Sequence, residues 1–321
     1  LEFRRVLFRS IMKKIASFLI SLTVIGFMVL SFSSCKKVDP PTVTIFASVD
    51  GYVVAFTATA TDTDNYSWTF GDGEVGSDQN PVHTYAQSGS YTATLTVTGE
   101  GGVAEVSTTV TIAASPLEML TGGPAAANGK TWVFSPAGGE GDGIYKADVD
   151  FTFEDPLPAG ILGLIGLPTE YEDEFTFHND LSYSHDVKND SVVTDIIFAM
   201  INQIPFRPSA EDVIVLCPFI PSAATFTFTQ GTDLTLETTS DSDNENIWET
   251  TWSGVTVLEI EGGAEFLGVM DFTRKYIVFN ISVDALQLGI FVSATEGSKM
   301  NYPSHLLRMT RSEERRVGKE C

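Results

Sequence analysis

Short runs of residues with a two-residue alternation, separated by turn residues, recur along most of this chain. Tyr66-Ser67-Trp68-Thr69-Phe70 alternates large and small side chains and runs directly into Gly71-Asp72-Gly73, a strong turn signal. The segment from Ser90 to Thr98 alternates in the same way. Because successive side chains of a strand point to opposite faces, this period indicates strands with one buried face. A chain built from such segments is predicted to be all-β.

Both ends of the chain differ in composition from the rest. Residues 1–11 and 311–321 together carry seven basic and four acidic residues, and both segments resemble translated sequencing adapters. We therefore exclude them from reasoning about the fold. Without them the formal net charge, which is -23 for all 321 residues, becomes more negative still. A surface of this charge repels phosphate backbones and argues against nucleic acid as a partner.

The native start is predicted at Met12, where a secretory leader begins. Two lysines precede an almost wholly apolar run, and Ser33-Ser34-Cys35 closes it. This layout predicts a signal peptide over residues 12–34. It resembles the leader of bacterial lipoproteins, which implies lipid attachment at Cys35, a lipidated tether over residues 35–41 and contact with the membrane through the anchor. The alternative is a membrane-spanning helix, since the apolar run is about long enough.

The segment 42–114 carries three consecutive motifs. They are Trp68-Thr69-Phe70-Gly71-Asp72-Gly73, Pro81-Val82-His83-Thr84-Tyr85 and Gly89-Ser90-Tyr91-Thr92-Ala93-Thr94-Leu95-Thr96-Val97. Together they resemble the motifs of the PKD domain, an immunoglobulin-like β-sandwich. The resemblance implies a spacer or interaction module at the cell surface. Trp68 and Phe70 share one face of their strand and are expected to fill the core.

Three acidic residues flank the tryptophan strand of this segment. Asp62 and Asp64 precede it and Asp72 follows it. Some PKD domains bind calcium near such acids, and carboxylate oxygens suit this hard cation, so the resemblance implies a candidate calcium site. The alternative is that the three acids stabilise turns through local hydrogen bonds. No other cofactor is expected.

The segment 117–310 predicts a second, larger antiparallel β domain, either sandwich-like or barrel-like. Alternating segments recur through it, and Asn179-Asp180 marks a tight hairpin turn between two of them. One helix is predicted near Val192–Asn202, where an apolar stripe follows a cluster of capping residues. The acidic run Glu170–Glu174 is expected on the exterior of a hairpin.

Three motifs of the second domain carry a further resemblance. They are Leu120-Thr121-Gly122-Gly123, Lys130-Thr131-Trp132 and Tyr171-Glu172-Asp173-Glu174-Phe175-Thr176-Phe177. They are similar to motifs of the PKD-bearing lipoproteins of Sus-type glycan-uptake systems. The resemblance implies a non-catalytic protein anchored at the bacterial outer membrane, facing the cell surface, that binds extracellular polysaccharide. It also implies a glycan-uptake transporter or hydrolases as partners, and a periplasm-facing placement stays open.

Aromatic side chains are the candidate sugar-binding groups, because the apolar face of a sugar ring stacks on a flat aromatic ring. Trp248 and Trp252 lie four residues apart and would share one face of a strand, which predicts a platform. Tyr145 and Tyr171 are further candidates in loops. The alternative is that one or both of the two tryptophans belong to the core.

The sequence contains no recognisable catalytic motif. It has no G-x-S-x-G pattern, no glycine-rich phosphate loop before a helix and no histidine spacing typical of zinc sites. We therefore predict that the protein is not an enzyme. Two alternatives stay open: an adhesin-like structural lipoprotein that binds protein partners through an apolar patch, and a glycoside hydrolase whose paired carboxylates the sequence does not reveal.

Overall fold

A computed structural model describes residues 12–17, 38–188, 190–208, 214–239, 246–293 and 302–313. Residues 12–17 form helix α1, and no helix within these ranges is both long and apolar enough to cross a bilayer. Cys35 lies outside the described residues, so the lipid anchor stays a prediction. Strands account for 54% of the structure and helices for 10%, which confirms the all-β prediction.

The chain divides into two compact units. The first contains the residues up to Thr84 together with Ser90–Thr111, and the second contains Tyr85–Gly89 together with all residues from Ile112 onwards. The main division therefore lies within a few residues of the boundary that the sequence motifs indicate.

The first unit is built from seven strands in two sheets. The strands are β1 (Thr42–Asp50), β2 (Val53–Thr61), β3 (Asn65–Thr69), β4 (Val75–Gly76), β5 (Val82–Thr84), β6 (Gly89–Gly99) and β7 (Gly102–Ile112). One sheet has the order β1-β2-β5 and the other the order β4-β3-β6-β7.

Aromatic rings from both sheets meet in the core of the first unit. Phe56 of β2 lies 5.2 Å from Trp68 of β3 and 5.5 Å from Phe70, measured between ring centroids. All three side chains are buried, and the indole Nε1 of Trp68 donates to the carbonyl oxygen of Asp78 at 2.9 Å. The predicted sandwich, with Trp68 and Phe70 in its core, is confirmed.

The second unit contains most of the remaining elements. The helices are α2 (Pro116–Thr121), α3 (Ile161–Leu164), the 3-10 helix η1 (Pro168–Glu172) and α4 (Ile196–Ile201). The strands are β8 (Lys130–Phe134), β9 (Gly143–Lys146), β10 (Phe153–Pro156), β11 (Glu174–Phe177), β12 (Ser182–Asp186), β13 (Ser191–Asp195), β14 (Arg207–Pro208), β15 (Ile214–Pro218), β16 (Ala224–Thr238), β17 (Trp248–Glu261), β18 (Lys275–Ile281), β19 (Ala285–Ser293) and β20 (Pro303–Glu313).

The large sheet of the second unit closes on itself. Its order is β10-β9-β20-β19-β18-β17-β16-β12-β11-β8, and β20 also pairs with β8. Eight strands, β8, β11, β12 and β16 to β20, therefore form a ring, which we call the closed sheet. The β9–β10 hairpin is an extension on β20, because His305–Arg308 pair with β9 while Arg311–Glu313 pair with β8.

Both faces of the closed sheet are buried in places. One cluster draws apolar side chains from every ring strand, including Phe134, Leu258 and Leu288. A second cluster lies on the opposite face and contains Trp252 and Phe291. A strand that is covered on both faces is buried continuously rather than at every second residue, and β19 is buried at every position from its second residue onwards.

The predicted helix over Val192–Asn202 begins later than expected. Its first third is strand β13, which pairs with β15, and the helix runs only over Ile196–Ile201. The β-branched residues of β13 favour an extended backbone that gains hydrogen bonds from its partner strand. Asp195 rather than the upstream polar cluster is the N-cap, because its Oδ1 accepts hydrogen bonds from the backbone N–H groups of Ile197 and Phe198 in the first turn of α4.

Strand β20 extends past the predicted end of the second domain at residue 310. Arg311 pairs with Phe134 and Glu313 with Trp132 across the seam that closes the sheet. The boundary between the native chain and the adapter-like tail, placed by composition after residue 310, thus falls inside a paired strand of the structure.

Candidate functional site

An apolar cavity lies in the second unit between the closed sheet, the β9–β10 hairpin, α3 and the β13–β15 pair. Its volume is about 320 Å³. Phe134, Val292 and Met309 line it from the closed sheet, and Ile161 lines it from α3. Among the described lining residues, Asp195 is the single polar side chain. Small-molecule sites are typically concave, mostly apolar and lined by few polar groups, so this cavity is the first candidate binding site.

Helix α3 forms one wall of the cavity and is held in place by its neighbours. Gly160 precedes it with a φ of 73°, a left-handed conformation that glycine adopts without strain. The hydroxyl oxygen of Tyr171 accepts a hydrogen bond from the backbone N–H of Leu162 at 3.1 Å. Tyr171 is only half-buried, but its ring packs against the apolar core. Its position therefore indicates support of the cavity wall rather than an exposed sugar-stacking surface.

Asp195 lies at the junction of β13 and α4 and is 1% exposed. Its Oδ1 accepts from the backbone N–H groups of Ile197 at 2.7 Å and Phe198 at 3.1 Å. Burial raises the pKa of this carboxyl to about 7, and the nearby charge of Asp271 adds to the shift. Asp271 is itself buried, with a pKa raised by burial to about 6, and it accepts hydrogen bonds from the backbone and hydroxyl of Ser293.

The two tryptophans predicted to form a sugar platform lie in different environments. They belong to the same strand, β17, but Trp248 is 53% exposed and Trp252 is 2% exposed. The indole of Trp252 stacks on Phe151 with centroids 5.5 Å apart, and its Nε1 donates to the carbonyl oxygen of Asp148 at 2.8 Å. The expectation of an exposed pair is therefore corrected: Trp252 is a core residue, and Trp248 alone presents an indole to solvent.

Tyr145, the remaining aromatic candidate, lies on β9. Its hydroxyl donates to the carbonyl oxygen of Gly141 at 2.8 Å, and its ring contacts Phe153 edge-on at 5.3 Å. It is half-buried and packs against the cluster that contains Trp252. Trp248 does not belong to this cluster of the described residues, so the structure does not join the two side chains in one aromatic surface.

The three acids predicted to bind calcium do not form a ligand set. Asp62 and Asp64 are exposed, and Asp72 instead contacts His83, with 2.6 Å between its Oδ2 and the His83 Nε2. Within the described residues, which include all three acids, no group of three or more His, Cys, Asp or Glu side chains is placed to hold a metal ion. The contacts of Asp72, which also accepts from the backbone N–H of Glu74 at 3.0 Å, favour the turn-stabilising alternative.

The acidic run Glu170–Glu174 is not a solvated hairpin exterior. It spans the end of η1 and the start of β11, and Glu170 and Asp173 are both buried while Glu172 is exposed. Burial and the negative charge of Asp173 raise the pKa of Glu170 to about 8, and burial also raises the pKa of Asp173. Sequence reasoning missed this pair because the 3-10 turn breaks the strand alternation that the prediction assumed.

Comparisons with known proteins identify the first unit. Residues 38–114 match the family model of the PKD domain, so this part of the chain is a PKD domain. Similar solved structures include the PKD1 domain of Vibrio anguillarum Epp, at 28% identity and a TM-score of 0.23, covering 23% of this chain and 95% of that chain. The PKD1 domain from Vibrio cholerae metalloprotease PrtV is 29% identical with a TM-score of 0.22, covering 23% of this chain and 98% of that one.

A third solved structure aligns along most of the chain. It was reported as the structural basis for the promiscuous specificity of carbohydrate-binding modules from the β-sandwich superfamily. It is 12% identical to this chain, with a TM-score of 0.23, and covers 87% of this chain and 92% of that one.

Proposed function

We propose that this chain is a non-catalytic binding protein whose second unit takes a small, largely apolar molecule into the cavity lined by α3 and the closed sheet. The observation that carries the proposal is the apolar cavity of about 320 Å³. Its size is at the lower end of the range typical of small-molecule sites. Water in such a cavity finds few hydrogen-bond partners, so an apolar ligand that displaces it gains the free energy of apolar burial.

The strongly perturbed carboxyls of the second unit support a binding role rather than hydrolysis. Glycosidases need two carboxyl groups on opposite sides of a bound sugar ring. Glu170 and Asp173 are both buried and do not line the apolar cavity, and of Asp195 and Asp271 only Asp195 lines it. The PKD domain, in this proposal, acts as a spacer or interaction module.

A fluorescent apolar probe tests the proposal. We expect N-phenyl-1-naphthylamine to bind the full chain with enhanced fluorescence, and Ile161→Trp, which places an indole in the cavity, to weaken binding by about tenfold or more. Leu164→Trp is the matched control, because this residue of the same helix is exposed and does not line the cavity. Absence of probe binding to the wild-type chain, or equal binding by the two variants, would overturn the proposal.

Polysaccharide capture at the surface is the second candidate function, favoured by the exposed indole of Trp248. An indole at the start of a long strand offers a flat apolar face on which a sugar ring stacks. Asn246 and Glu249, both exposed, lie beside it in sequence and offer polar groups for sugar hydroxyls. The platform in this candidate is one ring rather than two.

Retention on a panel of insoluble polysaccharides tests the second candidate. We expect Trp248→Ala to weaken retention by roughly five- to tenfold, the loss expected for one stacked ring. Ile247→Ala is the control, since this neighbour is also partly exposed but has no aromatic face. Retention that is the same for the wild-type chain and both variants would remove Trp248 from any sugar site.

A further inference from the structure

Asp195 gives the apolar cavity one polar feature, and it is an acidic one. The other described lining residues are apolar, and they come from seven or more separate segments of the chain. A carboxyl group in such surroundings is costly unless it is neutralised or paired. The cavity therefore combines a surface for an apolar body with one point that prefers a hydrogen-bond donor or a positive charge.

We infer that the ligand of this cavity is an amphipathic amine, whose apolar part fills the cavity and whose ammonium group pairs with the carboxylate of Asp195. This inference rests on the proposed function, because it names the ligand class of the same site. It commits to a cation over an anion, so fatty acids and other apolar carboxylates are expected to bind poorly.

The hydrogen bonds of Asp195 leave one carboxylate oxygen for a ligand. The two backbone N–H groups that Asp195 caps, those of Ile197 and Phe198, both donate to its Oδ1. Within the described part of the chain, the structure shows no donor to Oδ2. A carboxylate oxygen in a low-dielectric cavity forms a short, charge-assisted hydrogen bond with an ammonium donor.

The second carboxyl near the cavity strengthens the preference for a cation. Asp271 lies close enough to Asp195 to disfavour a second negative charge there, and its own oxygens accept from Ser293 and from the backbone N–H of Phe272. Since Asp271 is satisfied within the protein, it acts on a ligand through its charge alone. An incoming ammonium group relieves the repulsion between the two carboxylates, whereas an incoming carboxylate adds to it.

Competition against the bound probe tests the inference. Decylamine, decanol and decanoate share one chain length and differ in charge, so each is used to displace N-phenyl-1-naphthylamine from the full chain at alkaline pH. We expect decylamine to displace the probe at a concentration about tenfold lower than decanol, with decanoate the weakest. In Asp195→Asn we expect decylamine and decanol to become equivalent, because the asparagine is isosteric but uncharged.

Two controls make the result specific. Asparagine caps helices as well as aspartate does, so Asp195→Asn keeps α4, and it should bind the uncharged probe as the wild type does. Asp155→Asn removes an exposed charge next to the lining residue Pro156 and should leave the preference for decylamine intact. An amine preference that survives in Asp195→Asn, or that is absent from the wild type although the probe binds, overturns the inference and leaves the proposed function standing. Failure of the probe to bind at all overturns both.

Discussion

Raising the pH from about 4.5 to about 8 is expected to destabilise the second unit, and Glu170→Gln is expected to remove a substantial part of that loss. The pKa of Glu170 is raised from 4.5 to about 8 in the folded protein, first by burial and then by the charge of Asp173. Between these values the folded chain holds a proton that the unfolded chain has released. Higher pH therefore favours the unfolded state, and this contribution is fully present only below the lower value.

The contribution of Glu170 is on the order of 4–5 kcal/mol, at about 1.4 kcal/mol per unit of the difference between a pKa of 4.5 and one of about 8. Asp195 and Asp271 have pKa values raised to about 7 and about 6, and so change stability with the same sign. A loss of stability between about pH 4 and pH 7 should therefore remain in Glu170→Gln. The free energy of unfolding of Glu170→Gln, relative to that of the wild type, should be highest near pH 8 and lowest near pH 4.5.

Urea unfolding at a series of pH values, followed by tryptophan fluorescence, measures this dependence. Glu172→Gln is the matched control, because Glu172 is exposed and lies in the same acidic run. Its stability should follow that of the wild type at every pH. Parallel curves for the wild type and Glu170→Gln would show that Glu170 does not keep its proton in the folded state.

Trp252→Ala is expected to destabilise the second unit by about 3–5 kcal/mol, the usual cost of removing a large aromatic side chain from a core. The indole fills space between Phe151, at 5.5 Å, and Phe291, at 5.1 Å. Its removal leaves a void and takes away one of the two donors to the carbonyl oxygen of Asp148, which also accepts from the backbone N–H of Phe151.

The same substitution four residues away is the control. Trp248→Ala, at a site that is 53% exposed, should change the free energy of unfolding by no more than about 0.5 kcal/mol, as is usual for surface positions. Thermal or urea unfolding of the two variants side by side measures the difference. Equal losses would mean that the two indoles are buried alike and would return both to the list of core residues.

Most of the secondary structure could be predicted from local sequence patterns. The alternation around Trp68 and Phe70 predicted a strand with its aromatic face inward, and the Asn179-Asp180 turn predicted the hairpin between β11 and β12. These features depend on neighbours in sequence, because strand period and turn chemistry are properties of a few consecutive residues. Where the sequence misplaced an element, as in the first third of the predicted helix at Val192, a distant strand supplied hydrogen bonds that local pattern does not contain.

The candidate site was less accessible to sequence reasoning. Trp248 and Trp252 point to the same face of their strand, but they differ in burial. Asp148 and Phe151, about a hundred positions earlier in the sequence, contact Trp252 and bury it. Nothing in the local sequence distinguishes Asp195 from the many other acidic residues of the chain, because the cavity that it lines is formed only in the folded structure. Its neighbours come from segments as far apart as Phe134 and Met309.

The sequence by itself determined the all-β class, the division into a PKD domain and a second β unit, the turns and the inward face of the best-defined strands. Only the tertiary structure decided that β20 closes onto β8, that an apolar cavity lies between the closed sheet and α3, that Glu170 and Asp195 are buried and that Trp252 belongs to the core. The physical reason is that side-chain period acts over a few residues, whereas burial is set by whichever remote segment covers a surface. The charge state and pKa of a side chain, and the access of a ligand to it, depend on that burial.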